Sequence, residues 1–196
     1  MDVNACIKSR ISSRSYRSDH ITDEIIYEIL DAARYAPSPK NRQPWRFAVL
    51  TETEKAGLVH ACRKGLQNEP IKARYLMDNE RASEFRTFDI IEKAPVLILI
   101  FNAFPSNNTL DGHNLCFDNA NIQAIGAAIE NMLLRATELG IGSLWVGDIL
   151  TEAQFITERY FKAGELVAGV VLGVPASPGC HVGRLPLSEL IVFNGG

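Results

Sequence analysis

Arginine and serine side chains crowd together near the start of the chain. In the stretch KSRISSRSY, Arg10, Ser12, Ser13 and Arg14 stand within five positions. Guanidinium groups are charged, fork-shaped donors and serine hydroxyls are compact ones, so together they suit a phosphate group. Taken alone, however, such a stretch is more often an exposed N-terminal segment whose arginines pair with surface acids.

A second polar stretch, APSPKNRQPWRFAVL, spans residues 36–50 between a helical pattern and an apolar, strand-like one. Three of its prolines fall within eight residues. They restrict the backbone, which lowers the entropic cost of ordering the loop around a ligand. Asn41 and Gln43 each carry a donor and an acceptor, which suits the amide-like edge of a heterocycle. The competing interpretation is a proline stop at the end of a helix, followed by an ordinary polar turn.

A third candidate lies near the C-terminus, in LGVPASPGCHVGRLPLSEL. Arg184, with His181 nearby, follows a predicted strand through a turn rich in proline and glycine. A single arginine in such a position is normally only exposed. This segment therefore supports a binding site only in combination with the other two segments.

Composition limits the kind of protein that can carry these segments. The 196 residues are 46% apolar and 22% charged, with a formal net charge of −3. These values suit a soluble globular domain and argue against a nucleic-acid binder. The four cysteines form no CxxC pair, so neither a metal site nor a disulfide framework is predicted. No apolar run approaches the roughly 20 residues needed to span a bilayer, and we expect a cytoplasmic protein.

Periodicity predicts alternating helices and strands around these segments. Helices are expected at residues 3–10, 22–35, 52–63, 80–92, 118–140 and 151–161, and strands at 46–51, 95–101, 143–149 and 166–174. The helix at 118–140 has the broadest apolar face and is expected to be the most buried, with Gly140 placed to end it. This order indicates a single layered α/β or α+β domain over residues 1–196. Two charged or loop-rich stretches, at about 63–90 and 102–117, are expected to be lid-like excursions from its core.

In combination, the segments resemble the nitroreductase family of FMN enzymes. The stretches IKSRISSRSY, AARYAPSPKNRQPWRF, LLRATELGIGSLWVGDI and VLGVPASPGCHVGRLPLSELI occur in the family's order and near its separations. APSPKNRQPWRF in particular resembles the family motif Ala-Pro-Ser-x-x-Asn-x-Gln-Pro-Trp-x-Phe. The resemblance implies an α+β, three-layer fold with a central mixed or antiparallel sheet flanked by helices, in an intertwined homodimer.

The resemblance also assigns cofactor-binding residues. Arg10 and Ser12 would hold the phosphate and ribityl end of FMN, and Arg14 would lie near the flavin N1 and C2 carbonyl. A backbone N–H from Gly147 would point at N5, and no side chain would act as a catalytic acid or base. The proline-rich loop would reach across the dimer towards the partner's flavin. The full set of expected FMN contacts is Arg10, Ser12, Arg14, Pro37, Ser38, Asn41, Gln43, Trp145, Val146, Gly147 and Arg184.

Three positions depart from the family pattern. Ile11 stands where a second basic residue is common, and Val182 stands where a lysine is common, with His181 as a candidate substitute. Asp148 stands where some relatives have a small residue. We expect the first two changes to weaken phosphate binding somewhat and the third to affect access to the flavin ring.

These assignments imply an enzyme with ping-pong kinetics. NADH or NADPH would deliver hydride to flavin N5 and leave, and a small acceptor such as a nitroaromatic or a quinone would then take the electrons. The absence of a GxGxxG fingerprint agrees with a nicotinamide donor that binds only transiently. Two alternatives remain open. The same fold and flavin could serve another reaction, such as reductive dehalogenation, ring desaturation or consumption of the flavin itself, or the chain could be a flavin-binding or storage protein without turnover.

Overall fold

Four antiparallel strands form the sheet at the centre of the computed structural model, which describes residues 1–68, 78–105 and 112–192. They are β1 (Trp45–Leu50), β2 (Val96–Asn102), β3 (Gly142–Val146) and β4 (Glu165–Gly173), in the spatial order β1-β2-β4-β3. Each corresponds to a strand predicted from the sequence. β3 ends at Val146 rather than at residue 149, because a 3₁₀ turn, Asp148–Glu152, follows it. The α+β class and the antiparallel sheet are therefore confirmed.

The side chains of β2 alternate between two hydrophobic cores. All seven residues of the strand are buried. Successive side chains of a strand point to opposite faces, so Ile98 and Ile100 pack in one core while Leu97 and Leu99 pack in the other. A continuous apolar strand of this kind is typical of a sheet that is covered on both faces.

Helices provide the outer two layers. In chain order they are α1 (Val3–Ser9), α2 (Asp23–Arg34), α3 (Glu52–Asn68), α4 (Asp78–Lys93), α5 (Gly112–Glu138), α6 (Ala153–Tyr160) and α7 (Leu187–Leu190). α2 and α5 pack on the sheet face that contains Ile98, whereas α3, α4 and α6 pack on the face that contains Leu97. None of the helices that the structure describes combines the length and the apolar character needed to cross a membrane.

The most buried helix is α5, as the sequence predicts. Its completely buried apolar side chains are Ile125, Ala128, Ile129, Met132 and Ala136. Gly140 has a φ of 73°, the left-handed conformation that commonly ends a helix, so its predicted role is confirmed. α5 begins at Gly112, six residues before the start predicted from periodicity.

Much of the two stretches predicted as lid-like excursions is helical. Residues 63–68 belong to α3, 78–90 belong to α4 and 112–117 belong to α5. Residues 69–77 and 106–111 lie outside the described part of the chain. The lid role of both stretches stays a prediction.

Candidate functional site

The N-terminal arginine–serine segment lies along the outer edge of β3. The Ser13 N–H donates to the Ser143 carbonyl at 2.9 Å, and Ser12 and Ser143 form a parallel bridge. This pairing covers an edge strand that would otherwise expose unpaired backbone groups. The predicted phosphate-binding segment is therefore held beside the strand that leads to Gly147.

Two glycines allow the N-terminal segment to approach the sheet closely. A Cβ atom at Gly142 would stand 2.6 Å from Ser13 Oγ, and one at Gly173 would stand 2.5 Å from the Tyr16 ring. Side-chain carbons do not fit at such distances, so a larger residue at either glycine would displace the segment.

Ile11, which stands where the family often has a second basic residue, has a packing role in this structure. A Cβ atom at Gly179 would lie 2.6 Å from Ile11 Cδ1. The isoleucine thus rests on the start of the C-terminal tail, which we define as residues 177–192. Its contact joins the N-terminal segment to the part of the chain that continues to Arg184.

The three arginines predicted to contact FMN are held in different ways. Arg10 Nε lies 3.6 Å from the Glu130 carboxylate on α5, and 20% of the Arg10 side chain is exposed. Arg14 is exposed and donates to the Ser12 carbonyl at 3.5 Å. Arg184 is also exposed and donates to backbone carbonyls of its own segment, at 2.9 and 3.3 Å. Among the described residues neither Arg14 nor Arg184 pairs with a carboxylate, which leaves donors on both for an anionic ligand.

Tyr16 fixes the conformation of the N-terminal segment by a hydrogen bond within it. Its hydroxyl donates to the Ser13 carbonyl at 2.7 Å. Burial raises the pKa of Tyr16 well above its usual range, although the positive charge of Arg14 opposes the rise. The phenol therefore stays neutral and keeps its proton for this hydrogen bond.

β3 ends in the segment that the resemblance places at flavin N5. Val146 is buried, whereas 43% of Trp145 is exposed, and its ring lies on the α5 side, 3.7 Å from the position of a Cβ atom at Gly126. Apart from Gly147 and its two chain neighbours, no described residue has an atom within 4 Å of the position where a Cβ of Gly147 would be. The backbone at Gly147 is consequently open to a flat ligand.

The proline-rich loop contains strained backbone. Lys40, Asn41 and Gln43 have φ values of 51°, 56° and 49°, and in the described part of the chain no other residue except a glycine has a positive φ. This conformation costs a non-glycine residue about 1–3 kcal/mol, with asparagine at the low end, and it clusters at functional sites. The Gln43 N–H donates to Ser38 Oγ at 3.0 Å, which closes the loop on itself.

Two cations of the loop rest on aromatic rings, a feature that sequence reasoning missed. Arg42 lies 5.0 Å from the centre of the Phe104 ring and 5.4 Å from that of Phe117, and Lys40 lies 5.3 Å from the Phe117 ring. Each such contact is worth about 0.5–2 kcal/mol and offsets part of the strain. Both phenylalanines lie about sixty or more positions further along the chain, so no local pattern could reveal the contacts.

The loop and the segment at Gly147 lie at opposite edges of the sheet. The loop leads into β1 and Gly147 follows β3, with β2 and β4 between these edge strands. Neighbouring strands are about 4.8 Å apart, so three spacings separate the two edges by about 14 Å. One chain therefore brings the phosphate-binding segment to β3 but does not bring Asn41 and Gln43 to the same edge.

The residues along β3 carry groups of the kind that the expected FMN would need. Guanidinium and hydroxyl donors suit its phosphate, and the open backbone at Gly147 suits its flat ring. Within the described ranges, the structure contains no group of three or more His, Cys, Asp or Glu side chains that could hold a metal ion.

Comparison with known proteins agrees with this geometry. The Nitroreductase family matches residues 7–174 of the chain. The chain is 28% identical over 168 residues to YfhC of Bacillus subtilis, which carries the name of an NAD(P)H nitroreductase. That match covers 84% of this chain and 79% of YfhC.

Two further relatives show how this family varies. A protein from Desulfovibrio desulfuricans, solved in complex with FMN and described as a nitroreductase, has a TM-score of 0.74 to this chain at 28% identity, with coverage of 100% of this chain and 98% of that one. A 5,6-dimethylbenzimidazole synthase of Rhodospirillum rubrum is 26% identical over 184 residues, which cover 88% of this chain and 82% of the synthase.

Proposed function

The chain belongs to the nitroreductase family, and from this premise we propose that it is an FMN-dependent oxidoreductase that takes electrons from NADH or NADPH and passes them to a small acceptor such as a nitroaromatic or a quinone. The observation that carries the proposal is the pairing of the N-terminal arginine–serine segment with β3. It supports one elongated site that begins at cationic donors and ends at the open backbone of Gly147.

Each residue of this site has a task. Arg10 and Ser12 bind the phosphate and ribityl end, and Arg10 is pre-positioned for this by Glu130. Arg14 supplies positive charge beside the pyrimidine side of the flavin, and the Gly147 N–H donates to N5. FMN, when bound, supplies the redox chemistry by accepting hydride and passing electrons on. Trp145, which is 43% exposed, shapes the wall of the site, whereas the buried Val146 side chain anchors the end of β3 and leaves only its backbone to contact FMN.

We include a homodimer in the proposal, because one chain leaves part of the site open. Pro37, Ser38, Asn41 and Gln43 would contact the partner's FMN, which agrees with their place before β1, the edge strand about 14 Å across the sheet from β3.

Uncovered apolar surface also supports the dimer. The tail exposes 70% of Leu187 and 88% of Val192, helix α1 exposes 73% of Val3, and helix α2 exposes 73% of Tyr27. Exposed apolar side chains that form a large patch are typical of protein–protein interfaces. The tail, which carries Arg184, would be ordered by the partner and would then present this arginine to the phosphate.

A second candidate function keeps the fold and the flavin and changes the reaction. The similarity to a 5,6-dimethylbenzimidazole synthase over 88% of this chain favours it. In this second function the bound flavin would serve the transformation of another aromatic substrate, or would itself be transformed.

Anaerobic reduction of the purified, FMN-loaded protein tests the proposal. We expect NADH or NADPH to bleach the flavin absorbance. Nitroaromatics or quinones should then restore the absorbance, and the cycle should repeat over many turnovers. Flavin loss during reoxidation would favour the second function. If FMN binds but neither nicotinamide reduces it, the chain is a flavin-binding or storage protein. If the protein cannot be loaded with FMN, every flavin-based function is refuted.

A further inference from the structure

Asp148 directly follows Gly147, and its carboxylate is held by a helix from another part of the chain. Thr87 Oγ1 on α4 donates to Asp148 Oδ2 at 2.5 Å. Both side chains are half-buried. The hydrogen bond joins residues that are 61 positions apart in sequence and ties the 3₁₀ turn Asp148–Glu152 to α4.

α4 is a firm support for this hydrogen bond. Phe88 and Ile91 bury its inner face in the same core as Val146 and Ile149, the residues on either side of the Gly147–Asp148 pair. At the C-terminal end of α4, Lys55 Nζ donates to the Glu92 carbonyl at 3.1 Å and to the Ala94 carbonyl. Because α4 is packed in the core, Thr87 is held in place. Its hydrogen bond to Asp148 therefore restrains the 3₁₀ turn.

The hydrogen bond also decides on which face of the sheet the carboxylate lies. Val146 points into the core beneath α4, so Trp145, the preceding residue of β3, points to the opposite face, where its ring lies against α5 at Gly126. Asp148 is drawn towards α4. Its negative charge is thus kept away from the face on which Trp145 is exposed.

We propose that Thr87 is a positioning residue for the flavin site: it holds the Asp148 carboxylate on the α4 face and thereby fixes the Gly147 backbone and keeps a negative charge off the flavin. The inference rests on the proposed function, since it assigns the role of α4 in that site. It also gives a reason why an acidic residue is tolerated next to Gly147. A carboxylate that was free to approach the flavin would oppose the addition of electrons to it.

Removing the Thr87 hydroxyl tests the proposal in two ways. In Thr87→Val without FMN, we expect the amides of residues 148–152 to exchange hydrogen about tenfold faster, the scale expected from one lost hydrogen bond. In the FMN-loaded variant, the released carboxylate should make the midpoint potential of the flavin more negative. Thr87→Ser, which keeps the hydroxyl, should restore both properties.

Two controls isolate the carboxylate. Thr137→Val makes the same chemical change in α5, where the Thr137 hydroxyl bonds the Leu133 carbonyl at 2.8 Å, and should alter neither readout. Adding Asp148→Asn to Thr87→Val should cancel the shift in potential, because the charge is gone. If Thr87→Val does not fold, Asp148→Asn alone must leave the potential nearly unchanged, because the wild-type carboxylate is already held away from the flavin; a clear positive shift in this variant would contradict the proposal.

Three further results would overturn the inference. They are unchanged exchange in Thr87→Val, faster exchange with an unchanged potential, and a shift in potential that persists after Asp148→Asn. Failure of the proposed function is a separate outcome, because it would appear in the wild-type chain, either as no FMN binding or as bound FMN that neither nicotinamide reduces, while the exchange measurement could still be made.

Discussion

The N-terminal segment and the C-terminal tail both carry arginines for the same proposed anion, but they are held in opposite ways. The N-terminal segment is hydrogen-bonded to β3, and Ser13 is only 5% exposed. The tail exposes nearly all of its side chains, and Arg184 contacts only carbonyls of its own segment among the described residues. The N-terminal segment is positioned by contacts within its own chain, whereas the tail is exposed.

This difference indicates how the proposed FMN site is divided between residues that one chain fixes and residues that it leaves exposed. The contacts inside one chain fix the residues proposed for the phosphate and the flavin edge along β3. These contacts include neither Arg184 of the tail nor the loop at the opposite edge of the sheet. Four predictions separate the two regions, and they are given from the largest expected effect to the smallest.

The largest effect is expected from charges in the apolar tail. Leu187 and Leu190 are 70% and 60% exposed in one chain. If a partner buries them, they contribute about 3–6 kcal/mol, so Leu187→Asp/Leu190→Asp should raise the dimer dissociation constant by about two to four orders of magnitude. Sedimentation velocity over a concentration series measures this. Phe155→Asp on α6, at a side chain that is 37% exposed, is the control, and a double variant that stays equally dimeric would place the tail outside the interface.

Two glycines sharpen the comparison, one in β4 against the N-terminal segment and one in the tail. Gly173→Ala would press a methyl group against the Tyr16 ring and should reduce the free energy of unfolding by about 2 kcal/mol. Gly183 in the tail has open space around it, so Gly183→Ala should change the free energy by less than about 0.5 kcal/mol. Urea unfolding of both variants measures the difference. Equal effects would contradict the distinction between a fastened segment and an uncovered tail.

The arginines of the two regions should affect FMN differently. Arg184→Ala should weaken FMN binding by about 1–3 kcal/mol, the scale of a lost charged hydrogen bond. Arg14→Ala should also make the flavin harder to reduce, because it removes positive charge beside the ring. Fluorescence titration gives the affinities and equilibrium dye reduction gives the potentials. An unchanged potential in Arg14→Ala would remove its proposed role.

The smallest effect concerns Tyr16 and pH. Burial raises the pKa of Tyr16 in the folded state above that of an unfolded tyrosine, about 10. Above that pH the unfolded chain loses this proton first, so the folded protein should lose stability as the pH rises further. Tyr16→Phe should cost about 1 kcal/mol at neutral pH, through the lost hydrogen bond to Ser13, and should make the alkaline decline shallower. Unfolding curves at neutral and alkaline pH measure both, with Tyr27→Phe at an exposed ring as the control; an equal alkaline slope in Tyr16→Phe would contradict the assignment.

Much of the fold could be predicted from the sequence. Period-2 and period-3.6 patterns are local, so the strands at Trp45–Leu50 and Val96–Asn102 and the buried helix ending near Gly140 were found close to their true positions. The polar segments were also found, because residue type and spacing are visible in the chain. The extra length of α5 before residue 118 was missed, since polar residues there interrupt the apolar pattern.

Contacts between distant residues were beyond the sequence. The contact of Ile11 with Gly179, the ring contacts of Arg42 and the hydrogen bond of Thr87 to Asp148 each join segments more than fifty positions apart. Such pairs leave no local periodicity. Ile11 looked like a lost phosphate ligand, and only the packing explains its presence.

The sequence by itself determined the family, the type and order of the elements and the polar segments of the candidate site, because these depend on residue type and short-range spacing. The tertiary structure decided which of those segments share an edge of the sheet. It put the N-terminal segment beside β3, the proline-rich loop at the far edge and Asp148 against α4. The physical reason is that strand order and close approach are set by how whole layers pack, and no single segment contains that information.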